Sequence, residues 1–271
     1  MTRVIAALDN SLAATPVLTT ATALGDLFGA AVEAMHVRVD GDGDVATSAA
    51  ERAGVALRVL EGDPVERLVE AVNAEADVAA LVLGARGTRL GKRPLGATAL
   101  AVATAVARPV VVVPPDAPHP DRMHRVLVPL EGTTSTTVAP RAVMELAGDT
   151  SIDVVVLHVQ GEDSLASFSD QPQHEDAAWA DEFLARYCPW GVGEVRLELR
   201  VGRRDEVVPG VADEIDADLI VVAWSRELAA GRAPVVQAVL AHTVPVLLVP
   251  VAARSLATDL DALLPGHVVP S

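Results

Sequence analysis

The sequence predicts an α/β protein built as two tandem copies of one unit, each with a mainly parallel sheet and helices on both faces. Three observations carry that expectation. Short apolar runs alternate with helix-like stretches along the chain, the pattern of βαβ units. Of the 271 residues, 51% are hydrophobic and only 3% aromatic, so the core must be Val, Leu and Ala, the usual filling of a parallel sheet covered on both faces. The pattern also restarts halfway, and residues 121–251 repeat the strands of residues 1–115.

In the first copy, residues 4–8 read as a buried strand that ends at Asp9-Asn10-Ser11. Residues 12–28 read as a helix, with Pro16 near its first turn and Val17, Leu18, Ala21, Leu24 and Phe28 on its apolar face. Residues 31–39 form the next strand, followed by an acidic turn at 40–44, a short helix and a strand over 56–60. Asp63-Pro64-Val65-Glu66 marks a helix start. Asp63 can cap, Pro64 suits the first helical position, and Glu66 stands where a capping box places it. A strand over 78–83 feeds a glycine-rich basic loop, a helix over 97–107 leaves that loop, and Pro109 and Pro114 fence a last strand at 110–113.

Residues 114–120 read as a proline-rich linker. Beyond it, residues 125–131 echo 3–9, residues 154–159 echo 32–37 with His158 on His36, residues 217–222 echo the strand before the glycine loop, and 245–250 echo 109–114. The stretch 160–193 has no counterpart of similar length. It holds Phe168, Trp179, Phe183, Tyr187 and Trp190, five of the chain's seven aromatics. Trp179, Phe183 and Tyr187 fall at i, i+4 and i+8, one stripe of a helix. That stripe reads as a satellite core, with a partner surface or second ligand pocket as the sharper alternative. Residues 252–271 form a tail.

A formal charge of −16 disfavours nucleic acid and anionic membranes as partners. The lone Cys188 cannot form an internal disulfide, no signal peptide is read at the start, and the apolar runs are too short to span a bilayer; a cytoplasmic protein is expected. There is no Ser-His-Asp set, no HExxH and no paired cysteine, and His158, His174, Glu175 and Cys188 match no zinc spacing. His36 and His158 read as structural histidines bonded to backbone. The chemistry is expected in residues 84–98. Glycines there let backbone N–H groups approach an anion, the following helix adds unpaired donors, and Arg86, Arg89, Lys92 and Arg93 add four cations. The loop is neither a Walker A sequence nor GxGxxG.

These strands, the His36-Val37 pair, the 84–98 loop and the closing Pro-Val-Val-Val-Val-Pro strand resemble the universal stress protein family in its tandem two-domain form. The resemblance implies an open five-stranded, mainly parallel, Rossmann-like sheet of the adenine nucleotide α-hydrolase type in each domain, over 1–115 and 121–251. It further implies ATP, with magnesium as an optional companion, in a stress-response or signalling module. Carried over by position, Asp9 matches the aspartate that contacts the adenosine part, with Ala7 beside it. His36 and Val37 lie where the base sits, and Gly84 and Gly87 match the first two glycines of Gly-x2-Gly-x9-Gly-Ser/Thr, with Arg86 between them. Gly96 comes one residue early for the third glycine. The strict count falls on Ala97-Thr98, which keeps the hydroxyl but not the glycine. In the second copy Glu131 replaces the aspartate, Ala223-Trp224-Ser225-Arg226 replaces Gly84–Gly87, and Val235-Val236-Gln237 stands at the third glycine. Nucleotide is therefore expected in the first domain only. Two other classes stay open: an interaction or structural protein that no longer binds nucleotide, and a slow ATP hydrolase or phosphotransferase. The closing strands, apolar edges that need cover, suggest that the copies pair as an intramolecular pseudo-dimer. A homodimer of whole chains is left open.

Overall fold

Strands made of Val, Leu and Ala without polar alternation must be covered on both faces. The computed structural model, which describes residues 2–39, 44–86, 95–118, 121–130, 139, 141, 152–160, 175–188, 195–226 and 234–251, shows how. The first half runs β1 (Arg3–Leu8), α1 (Ala14–Phe28), β2 (Ala31–Arg38), α2 (Val45–Ala53), β3 (Ala56–Glu61), α3 (Pro64–Ala74), β4 (Val78–Gly84), α4 (Ala97–Ala105) and β5 (Val110–Val113). The second runs β6 (Arg125–Pro129), β7 (Asp153–Gln160), α5 (Glu175–Tyr187), β8 (Val195–Val201), α6 (Arg204–Glu214), β9 (Leu219–Trp224), α7 (Pro234–Leu240) and β10 (Val246–Pro250).

The ten strands among the described residues form one sheet in the order β3-β2-β1-β4-β5-β10-β9-β6-β7-β8. Pairing is parallel within each half. The halves meet through an antiparallel pair in which Val110, Val111 and Val112 face Leu248, Leu247 and Val246. Val111 and Leu247 are equivalent in the repeat, so a pseudo-twofold axis passes between them. One core lies on the face covered by α3, α4, α6 and α7. A second lies on the face covered by α1 and α2, joined by Phe183 of α5. The aromatic stripe belongs to that second core. The Phe183 ring stands 5.0 Å from those of Trp179 and His158 and 4.7 Å from that of Tyr187. Phe168 and Trp190 lie outside the described residues.

Three helix ends show how side chains set boundaries. α1 starts at Ala14 rather than residue 12, because Asp9 Oδ1 accepts from the Ser11 N–H (3.2 Å) and hydroxyl (2.5 Å) while Ser11 Oγ accepts from Ala13 N–H (3.1 Å). These bonds hold residues 9–13 in turns that compete with the helix. α3 starts as expected, with Asp63 Oδ1 accepting from Val65 N–H at 2.9 Å and Glu66 N–H at 3.0 Å. α4 stops at Ala105 rather than 107, where Asn73 Oδ1 accepts from Ala107 N–H at 2.8 Å and takes the backbone out of the helical ladder.

A charge cluster sits at the opposite end of β1 from its Asp9 turn. Arg3 donates to Glu33, to Glu75 (2.5 Å) and to Asp77 (2.8 Å), and Arg58 donates to Glu75 at 2.8 Å. The Arg58 hydrogen bond, then that from Arg3, holds the Glu75 carboxyl below its ordinary pKa, against the opposing effect of desolvation. A carboxylate whose folded-state pKa is depressed stabilises the fold fully above its unfolded value, and that contribution fades as pH falls through the folded value. Glu75→Gln should therefore lower stability at neutral pH and flatten its decline between about pH 5 and pH 3. Urea unfolding followed as a function of pH checks this. An acid decline as steep in the variant as in the parent would show that Glu75 contributes nothing to it.

Candidate functional site

In an open parallel sheet, the chain runs outward from β1 in one direction through β2 and β3 and then returns to place β4 on β1's other side. The loops beyond the carboxyl ends of β1 and β4 must diverge there and leave a crevice. A cavity of about 310 Å³ occupies that position. Ala7 and Asp9 come from the end of β1, His36 and Val37 from β2, Gly84 and Arg86 from β4, and Gly96, Ala97 and Thr98 from the start of α4. Nine of the ten residues singled out in the sequence thus line one cavity. The tenth, Gly87, lies outside the described residues, as do Arg89, Lys92 and Arg93.

The walls divide by chemistry. Leu68, Leu83, Ala85 and Val102 make an apolar side, all buried, onto which a flat ring could pack. Asp9, Asn10 and His36 make a polar side. The Leu8 carbonyl can only accept, so the His36 Nδ1 at 2.9 Å carries a hydrogen. In the neutral ring Nε2 then accepts, and Asn10 Nδ2 is its donor at 3.5 Å. Asn10 Oδ1 in turn accepts from Ala46 N–H at 2.9 Å, tying the loop after β1 to the first turn of α2. His36 is held as a structural ring at the site, with both nitrogens engaged. At the far end, Gly96 in extended conformation starts α4 and its N–H bonds the Ala85 carbonyl at 2.8 Å. The first-turn N–H groups of such a helix have no intrahelical partner and favour an anion.

Several lining residues were not signalled in the sequence as site residues. Asn10 reads as turn chemistry, and Pro64 and Leu68 as a helix start and its apolar stripe. Ala85 carries no chemistry that a sequence can signal, and it contributes a small, buried piece of wall. Its partner in the repeat, Trp224, is the signal that marks the position.

Comparison with known proteins follows the same outline. A model of the universal stress protein family matches residues 40–114 and 123–250. Among solved structures, a universal stress protein from Archaeoglobus fulgidus is 17% identical, with 93% of this chain and 97% of that one covered at a TM-score of 0.60. A protein of unknown function from Pseudomonas aeruginosa is 11% identical, with 92% of each chain covered at a TM-score of 0.63. At these identities the likeness is one of fold. None of the curated proteins compared with the chain matches it.

The first glycine of the loop has a role unlike the one its sequence position suggests. A side chain at Gly84 would not point at the cavity's anion end; a Cβ there would lie 3.1 Å from the Ala13 Cβ and 3.7 Å from Val17 Cγ2. Gly84 thus sits where the start of α1 approaches β4 on the opposite face, and a side chain there would force its neighbours to give way. Gly84→Val should lower stability by about 1–3 kcal/mol, the usual cost of overpacking. Denaturant unfolding measures it, and an unchanged midpoint would mean that α1 gives way without cost.

Proposed function

The chain belongs to the universal stress protein family, and on that footing we propose that its first half, residues 1–115, is an ATP-binding module of a stress-response or signalling protein, while the second half, residues 121–251, takes no nucleotide. The observation that carries this reading is the single cavity in which nine of the ten family-matched positions meet. Its apolar side suits a purine and its polar side, with Asp9, a ribose. The start of α4, with Arg86 and Thr98, suits phosphates. No helix among the described residues is long and apolar enough to cross a membrane, and the lone Cys188 supports a reducing cytoplasm as the setting. A binding rather than catalytic role is favoured because Asp9, the only carboxylate among the described lining residues, is assigned in this reading to the adenosine part and not to the phosphates.

Native mass spectrometry of the purified chain should find a co-purifying adenine nucleotide, and calorimetry should give about one ATP per chain. Thr98→Ala should weaken ATP by about 1 kcal/mol, the size of one hydrogen bond. Asp9→Ala should weaken ATP and adenosine alike, whereas Gly87→Val should cost ATP far more than adenosine. A chain that binds no adenine nucleotide by either method overturns the reading. Phosphate release from bound ATP, measured with and without magnesium, would move it to the hydrolase class.

A further inference from the structure

The two halves share backbone geometry closely enough to be compared position by position. His158 Nδ1 meets the Leu130 carbonyl at 3.0 Å as His36 Nδ1 meets that of Leu8 at 2.9 Å. Gly84 pairs with Val113 on β5, and Ala223 pairs with Val249 on β10, so the next residues, Ala85 and Trp224, are equivalent. Gly62 and Gly202, with φ of 123° and 145°, stand two residues before α3 and α6, so Pro64 at the cavity rim corresponds to Arg204.

Trp224 is 2% exposed and is the bulkiest fully buried side chain among the described residues. It belongs to the same apolar core as Val159 and Val208, the counterparts of Val37 and Leu68 in the cavity wall, and as Val239 of α7. Among the described residues its Nε1–H has no hydrogen-bond partner. An unpaired buried donor is costly, so shape rather than polar contact accounts for the indole's presence. Arg204 Nε reaches the Val159 carbonyl at 3.5 Å, a long hydrogen bond to the end of β7 where the first half has Val37 and an open rim.

We propose that Trp224 is a built-in occupant: its indole fills, in the second half, the volume that a ligand's ring enters in the first, and Arg204 closes the rim over it. This rests on the reading of the first cavity as the nucleotide site. It goes beyond that reading in saying why the second half takes none. The loss is steric and internal, a cavity already filled, rather than the absence of glycines.

Exchanging the two residues tests it. Ala85→Trp should fold, because the cavity accommodates an indole, and should lose ATP binding altogether in calorimetry. In that background, with the first cavity filled, Trp224→Ala should let the chain take up one molecule of free indole, with a rise in the thermal midpoint that Ala85→Trp alone does not show. An Ala85→Trp chain that binds ATP as the parent does, or that fails to fold, overturns the proposal, as does a folded double variant that takes up no indole. If the double variant does not fold, the Ala85→Trp result decides alone. If the parent chain binds no ATP, the nucleotide reading fails, while indole uptake still judges the filling of the second half.

Discussion

The pairing of β5 with β10 is the constraint on which the rest of the molecule depends. Each half is a parallel sheet that ends in a short strand of valines and leucines between prolines, an edge that would template aggregation if left bare. Setting the two edges against each other buries all of Val110–Val113 and leaves β3 and β8 as the outer strands. Those outer strands are charged. Arg58 of β3 pairs with Glu75, and Arg200 of β8 pairs with Glu198 and Glu214. The apolar edges face inward, and the edges that meet water carry ion pairs. Because the junction is antiparallel, the carboxyl ends of the two parallel sets point in opposite directions. The first half's crevice is lined by residues of the first half alone.

Much of this was legible in the sequence because it rests on period and repetition. Strands of Val and Leu cannot be partly covered, so the α/β class followed from composition and alternation, and the duplication followed from Arg3 recurring as Arg125 and His36 as His158. What stayed hidden were effects of side-chain bonding and third-dimension proximity. Nothing local in residues 9–13 says that Ser11 will hold off the helix until Ala14. Nothing in residues 97–107 says that Asn73, on another helix, will end it at Ala105. The site was legible where a residue type has a distinctive use, as with Asp9, His36 and the glycines. It was not legible where the contribution is an absence of volume. Gly84 reads as a phosphate-loop glycine yet its missing side chain faces Ala13 and Val17, and Ala85 reads as nothing while lining the cavity.

The comparison of halves separates what the fold needs from what the site needs. The His-to-carbonyl bond at the end of the second strand is kept in both copies at nearly the same length, and so are the positive-φ glycines before α3 and α6. These are scaffold features, which explains why His158 persists beside a filled crevice. There its ring also packs against Trp179 and Phe183, at 5.4 and 5.0 Å. The features that differ, Ala85 against Trp224 and Pro64 against Arg204, lie on the crevice wall and rim. Duplicated folds can diverge this way at small cost, because residues facing a cavity are not required to hold the sheet together.

Charge limits how the first crevice can work. A chain of formal charge −16 repels an anionic ligand at long range, but that field is screened beyond about 8–10 Å at physiological salt. Attraction therefore has to be local. In the proposed complex the start of α4 and Arg86 would supply it, while Asp9, whose Oδ1 already accepts from Ser11, adds a carboxylate to the same lining. The apolar wall offers roughly 25 cal/mol for each Å² of apolar surface removed from water, independent of salt. In the proposed ATP complex the base and the wall would then supply the salt-independent part of the affinity. The phosphates, set against the start of α4 and Arg86, would fix the direction in which the nucleotide lies.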